Sequence, residues 1–313
     1  MTAKEFMDAC KGEISKNLIG KDSAIECMCI ALLAKGHVLI DDVPGTGKSE
    51  LAKSFAKTIN SSLGRIQGTP DVMPSDVTGF HFYDQSQQTF IFREGPVFHS
   101  LVLMDEINRA TPKTQASLFE AMQERQVTVD GEQFILPTPF MVMATQNPTD
   151  LQQGTFILPH AQLDRFSIKM PMERLSYEEE LQLIRRFQGE DYNQINEVID
   201  IDQIKLLQAK VSSVTLSEDV EKYLLAISRT TRNHESIDVG VSPRATLNLM
   251  KIAQARALVH ERLFVTPDDI YQMAPLVYTH RLILKIDVHM RQSPEEVMND
   301  VLSRVKVPVE NHG

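Results

Sequence analysis

Ile40-Asp41-Asp42-Val43-Pro44-Gly45-Thr46-Gly47-Lys48-Ser49-Glu50 is the stretch on which the reading of this chain turns. An apolar run, His37-Val38-Leu39-Ile40, leads into it, and Leu51, Ala52, Phe55 and Ala56 follow at helical spacing. The pattern predicts a strand, a tight turn and a helix N-terminus. Gly45 and Gly47 let backbone N–H groups turn inward around an anion, and the helix dipole adds partial positive charge there. Lys48 has the reach for β- and γ-phosphates, and the Ser49 hydroxyl is a hard ligand for Mg²⁺. The pattern G-x-x-x-x-G-K-[ST] is met except at its first position, where Asp42 stands before the nest. Read alone, the stretch also suits a plain Gly-rich turn between strand and helix.

Working outward, 313 residues suffice for one large or two smaller domains with ample core. Apolar residues make up 42% and charged residues 24%, an ordinary globular balance. The net charge of −10 argues against a general polyanion binder and leaves room for a local basic channel. Cys10, Cys27 and Cys29 have no zinc spacing and read as thiols of a reducing cytosol, so a cytoplasmic location is expected. No apolar run approaches the roughly 18 residues of a membrane span, and Met1–Glu13 has no signal-peptide core.

Residues 1–36 read as helix, turn, helix, with Ile19-Gly20 as the break. Leu63–Gln67 is a candidate strand, and residues 68–79 are loop-like, with two prolines and two glycines. Phe80–Tyr83 and Thr89–Phe92 suggest a hairpin; so does 126–136, centred on Asp130-Gly131. Leu101–Met104 and Phe140–Thr145 are continuous apolar runs suited to strands buried on both faces, with a helix over Pro112–Glu124 between them. This alternation predicts an α/β fold: a mostly parallel sheet sandwiched by helices. Beyond about residue 173 the strands are expected to stop. Ser176 with Glu179, Ser217, Ser242-Pro243, Thr266-Pro267 and Ser293-Pro294 are N-cap signals of a smaller helical domain. The expected division is residues 1–172 and 173–313.

Asp105 and Glu106 close the 101–104 strand. Ligands of open parallel sheets bind at such carboxyl ends. There Asp105 can hold Mg²⁺ through water and Glu106 can polarise the attacking water. Asn147, ending the next buried strand, can orient the same water; a turn-forming Asn before Pro148 is the plainer alternative. Arg165 lies in Leu163-Asp164-Arg165-Phe166. Arg244 sits in the first turn of a predicted helix, where a cation opposes the dipole and hints at an anionic partner.

The order of these motifs resembles an AAA+ ATPase, and within that class the MoxR family. The family-like stretches include Arg65-Ile66-Gln67, Pro74-Ser75-Asp76-Val77-Thr78-Gly79, Gly95-Pro96-Val97-Phe98, Asp105-Glu106-Ile107-Asn108-Arg109-Ala110, Ala144-Thr145-Gln146-Asn147-Pro148 and Ala161-Gln162-Leu163-Asp164-Arg165-Phe166. The resemblance covers about residues 15 to 285. It implies an AAA+ core followed by a helical lid, with Lys48 and Ser49 as Walker A residues and Asp105 and Glu106 as Walker B acids. Asn147 is similar to sensor 1, Arg244 to sensor 2 and Arg165 to an arginine finger that reaches a neighbouring subunit. The implied catalytic set is Lys48, Asp105, Glu106, Asn147, Arg165 and Arg244, with Ser49 and Asp105 on the metal. The implied nucleotide-binding set is Ile19, Gly20, Pro44, Gly45, Thr46, Gly47, Lys48, Ser49 and Glu50. Gly68 departs from the family pattern, where a bulky residue is frequent.

The resemblance further implies ATP and Mg²⁺ as cofactors, assembly into a ring expected to be a hexamer, and remodelling or maturation of client protein complexes. A von Willebrand factor A-domain protein is the implied partner. Two other readings stand beside it. One is a nucleic-acid motor, against which the acidic Asp130-Gly131-Glu132 tip and the net charge argue. The other is a nucleotide-gated switch with little turnover. Whether Arg244 serves its own subunit or the next is open at this level.

Overall fold

Alternation of apolar side chains along five short strands builds two cores, one on each face of a parallel sheet. The computed structural model describes residues 1–41, 46–147, 155–172, 174–188 and 194–308, apart from the side chains of 187 and 188. Helices α1 (Ala3–Ile14) and α2 (Asp22–Leu33) precede strand β1 (Val38–Asp41), helix α3 (Lys48–Thr58) and β2 (Leu63–Gln67). A short helix α4 (Pro74–Thr78) leads to the hairpin β3 (Gly79–Asp84) and β4 (Thr89–Glu94). Then come β5 (Leu101–Asp105), α5 (Pro112–Glu124), the hairpin β6 (Gln126–Val129) and β7 (Glu132–Ile135), and β8 (Met141–Gln146). Helix α6 (His160–Leu163) and β9 (Ile168–Pro171) close this half.

The sheet runs β2-β5-β8-β1-β9, and every pairing within it is parallel. Val38, Ile40, Leu101, Leu103, Met141, Met143, Ile168 and Met170 face one core. Leu39, Val102, Met104, Val142 and Ala144 face the other, with Leu118 and Met122 of α5. That period of two is what a strand buried on both sides requires.

The remainder is α7 (Tyr177–Gln188), α8 (Ile201–Val211), α9 (Glu218–Asn233), β10 (Ile237–Val239), α10 (Pro243–Val259), α11 (Pro267–Tyr278), β11 (Ile283–Leu284), α12 (Ile286–His289) and α13 (Pro294–Arg304). Ser217, Ser242, Thr266 and Ser293 each cap a helix by accepting a backbone N–H, and Ser176 with Glu179 forms the expected reciprocal pair. Two expectations need correction. Helix α4 interrupts the predicted loop 68–79, started by Pro74 and by Asp76 accepting the Met73 N–H at 2.9 Å. Strands do not stop at 173, because β10 and β11 pair antiparallel inside the helical region.

The two hairpins pack on each other. Phe92 stacks on Phe134 at 4.1 Å, and His81 meets Asp130 at 2.9 Å. Asp130 and Gly131 both take positive φ, as a two-residue hairpin turn demands. Among the described residues no helix is long and apolar enough to cross a membrane.

Candidate active site

Strand β1 lies between β8 and β9, so the chain's winding reverses there, and a crevice opens at the carboxyl edge. Asp41 ends β1 beside Gln146 and Pro171; its carboxylate takes Lys169 at 2.6 Å and the Gln146 amide at 3.3 Å. Pro44 and Gly45 lie outside the described residues. The turn enters α3 through Gly47 at φ +90, a conformation that favours glycine. Its N-cap residue, Gly47, has no side chain to cap the helix, unlike the Ser and Thr caps of the later helices, and such an N-terminus suits an anion. Thr46, Lys48, Ser49 and Glu50 are half-buried around it.

Leu18 lies 3.1 Å from where a Cβ on Gly47 would stand, which sets Leu18-Ile19-Gly20 against the loop. Gly20 takes φ +65, and a Cβ there would meet the Glu179 carboxylate at 2.5 Å.

Strand β8 alone separates β1 from β5, so the two acids end about 10 Å along the same edge. Asp105 is buried, and Arg65 bonds its Oδ2 at 2.9 Å. Glu106 is left-handed, at φ +54 and ψ +53. Its N–H donates to Thr145 Oγ1 at 2.9 Å; its carboxylate accepts from Arg109 at 3.0 Å and Gln67 at 3.4 Å. Asn147, also buried, follows the end of β8. Gly68 donates to the Asp105 carbonyl at 2.7 Å, and a Cβ on Gly68 would stand 2.2 Å from the Glu106 carbonyl oxygen. A side chain at residue 68 would therefore force the ends of β2 and β5 to shift. Arg65, Gln67, Arg109 and Thr145 lay in recognisable stretches of sequence; the Arg109 bond is local, three residues from Glu106, whereas those of Arg65, Gln67 and Thr145 come only from strand order.

Arg165 and Arg244 are elsewhere. Ser167 donates to the His37 carbonyl at 2.8 Å and Ile168 pairs with Val38, which places the Arg165 segment at the amino-terminal edge of the sheet. The four residues of β1 separate that edge from the carboxyl edge by about 10 Å. The Arg165 guanidinium donates to the Ala161 carbonyl at 2.6 Å and lies over Phe119 at 5.6 Å. With Arg244 it lines a cleft of about 340 Å³ that also receives Lys35, Arg125 and Lys251. Asp164 is the one acid in that lining. His37, in its wall, is buried beside Arg125, and both effects hold its imidazole well below the usual range, so it adds no charge. Burial also pulls Arg125 down to about 10, with its guanidinium donating to the carbonyls of Lys35 and Phe140. A chain of net charge −10 thus gathers five basic side chains at one place.

His234, Glu235 and Asp300 are the one group of acids and histidines close enough to hold a metal among the described residues. Arg304 meets Glu235 at 2.6 Å and Asp300 at 2.7 Å, so this is an ion-pair network with its cation already in place.

Comparison with known proteins bears on the assignment. Residues 37–168 match the ATPase family associated with various cellular activities (AAA), and residues 229–302 match the AAA lid domain. The chain is 37% identical to Chaperone MoxR1 of Mycobacterium tuberculosis, over 96% of this chain and 81% of that one. It belongs to the MoxR family of AAA+ ATPases. Another relative of this MoxR-family chain, YeaC of Bacillus subtilis, is 43% identical over 95% of this chain and 93% of its own. A crystal structure from Cytophaga hutchinsonii superposes at a TM-score of 0.91 with 34% identity, covering 98% of this chain and 96% of that one. The MoxR-family fold is therefore an AAA+ core with a parallel sheet sandwiched by helices, followed by a helical lid.

Proposed function

We propose that this MoxR-family protein hydrolyses ATP with Mg²⁺ at a site shared by neighbouring subunits of a ring, a hexamer, and uses the cycle to remodel or mature client protein complexes. Residues 1–172 form the nucleotide-binding core and 173–313 the lid. The observation that carries the reading is the separation of the two halves of the site. The phosphate loop, Asp105, Glu106 and Asn147 share the carboxyl edge, whereas Arg165 and Arg244 share a cationic cleft at the opposite edge. Arginines across the sheet from their own phosphate loop serve the next subunit, so Arg244 acts in trans with Arg165.

The donor set fits its ligands. Ser49 and Asp105 offer the hard oxygens that Mg²⁺ takes, and the Gly47-led N-terminus of α3 with Lys48 suits a triphosphate. Bound Mg²⁺ would neutralise charge on the β- and γ-oxygens. Ile19, Gly20, Pro44, Gly45, Thr46, Gly47 and Glu50 line the nucleotide. Glu106 accepts the proton of the attacking water, Asn147 orients that water, and the neighbour's Arg165 and Arg244 stabilise the charge of the transferred phosphoryl group. The hairpin tips carry Asp84, Asp130 and Glu132, and their faces expose Phe82, Phe90 and Ile135. That surface repels phosphates and suits a protein client, with a von Willebrand factor A-domain protein as partner.

Steady-state ATPase assays of the purified chain test this. Lys48→Ala and Glu106→Gln should each lower kcat by about 100-fold or more; Arg165→Ala should lower it by about 10³-fold while nucleotide binding persists. Unchanged turnover in the first two variants overturns the proposal.

A further inference from the structure

Arg281 is the most heavily committed buried cation described in this chain. Its side chain is 4% exposed. Nε donates to Asp164 Oδ1 at 2.6 Å; Nη2 donates to the carbonyls of Asp164 at 3.1 Å and Phe166 at 2.7 Å. Nη1 donates to the Val277 carbonyl in the last turn of α11 and meets His280 Nε2 at 2.8 Å. The His280 ring in turn sits 3.1 Å from the Phe166 carbonyl. Burial pulls the Arg281 pKa down and the nearby Arg244 charge adds to the fall, while Asp164 and Tyr278 oppose it. A buried guanidinium is tolerated only when its donors are satisfied. They meet four residues, Asp164, Phe166, Val277 and His280, of which the first two flank Arg165.

We propose that Arg281 is the positioning residue of the arginine finger: through one rigid guanidinium, the lid sets the backbone on both sides of Arg165 and thereby its aim into the neighbouring subunit. The inference rests on the reading of Arg165 as acting in trans. Two peptide carbonyls, of the 164–165 and 166–167 peptides, and the Asp164 carboxylate, all bonded to one planar fork, fix the backbone before and after Arg165. Lysine, with a single ammonium on a flexible stem, cannot span that set. The fork is itself held by α11 through Val277. Asn248, one turn after Arg244 on α10, donates to the Ser167 carbonyl at 3.0 Å. The same lid thus carries Arg244 and grips the segment from 164 to 167, so the two cations of the cleft keep one spacing.

The test uses full-length chains, alone and in mixed rings. Arg281→Gln and Arg281→Lys should lower kcat on the order of 100-fold, as a misplacement of about 1 Å does, with affinity for a fluorescent ADP analogue unchanged. Asp164→Asn should lower kcat less and in the same sense. Mixing supplies a readout that a merely structural role would not move. Lys48→Ala subunits keep an intact finger but lose their own site, so mixing them with Arg281→Gln subunits should restore turnover, as mixing them with Arg165→Ala subunits does. Wild-type kcat in Arg281→Gln overturns the inference. So does failure of Arg281→Gln to recover in mixtures where Arg165→Ala recovers, which leaves the shared-site reading standing. Failure of both mixtures removes the shared site and the inference with it. Should Arg281→Gln not fold, Asp164→Asn carries the same mixtures, and wild-type kcat in that variant overturns the proposal.

Discussion

At the residue scale, Glu106 leaves β5 in a left-handed conformation that a glutamate keeps only when its neighbours hold it. Thr145, Arg109 and Gln67 do so from one side and Gly68 from the other. The reading of Asp105-Glu106 as a strand end with chemistry needed only the apolar run before it. The left-handed turn had no local signature, because neither Gly nor Asn marks it. Gly68→Ala should therefore act on Glu106. A methyl group 2.2 Å from the Glu106 carbonyl must part the ends of β2 and β5. We expect a loss of about 1–3 kcal/mol in a urea titration and a fall in single-turnover hydrolysis of about tenfold or more. Wild-type values for both would contradict the close approach.

At the scale of single elements, helix starts were legible because capping is local: a Ser or Thr side chain accepts an N–H three residues on. What such a cap also does is not local. Asp269, third residue of α11, bonds back to Thr266, yet it is fully buried and meets Arg256 and Arg262, each at 2.5 Å. Burial pushes its pKa up, but Arg262, Thr266 and Arg256 outweigh that and hold it at about 2, from an ordinary 3.8. A depressed carboxylate stabilises the fold above its unfolded pKa, and the contribution is lost as pH falls through the folded value. The gain, on the order of 2 kcal/mol, should be complete above about pH 4 and disappear toward pH 2. Asp269→Asn should cost about 3 kcal/mol at pH 7 in denaturant unfolding, and its deficit against the parent should narrow below pH 4. A deficit constant from pH 7 to 3 would exclude the ion pairs as its source.

At the scale of the whole molecule, one hydrophobic cluster runs from Phe6, Ile25 and Leu32, along one face of the sheet, to Leu207 on α8, Ile252 on α10 and Met273 on α11. Gln208 adds a buried bond to the Leu32 carbonyl at 2.6 Å. A cluster shared in this way predicts that the two regions unfold as one cooperative unit. Thermal unfolding followed by far-UV and by near-UV circular dichroism should give coincident transitions; two separate transitions would show that the shared cluster does not couple them.

The sequence by itself determined the strand, turn and helix around Gly47-Lys48-Ser49, the acids ending β5, the hairpin turn at Asp130-Gly131 and the lid's N-caps. Each is a pattern of neighbours, set by backbone sterics, side-chain period or a bond spanning a few residues. The tertiary structure alone decided that Arg165 and Arg244 share the edge opposite the N-terminus of α3, that Arg281 reaches back to grip residues 164 and 166, and that Gly68 sits tight against the Glu106 carbonyl. Those facts follow from strand order and from packing between segments far apart in the chain, which no local periodicity encodes.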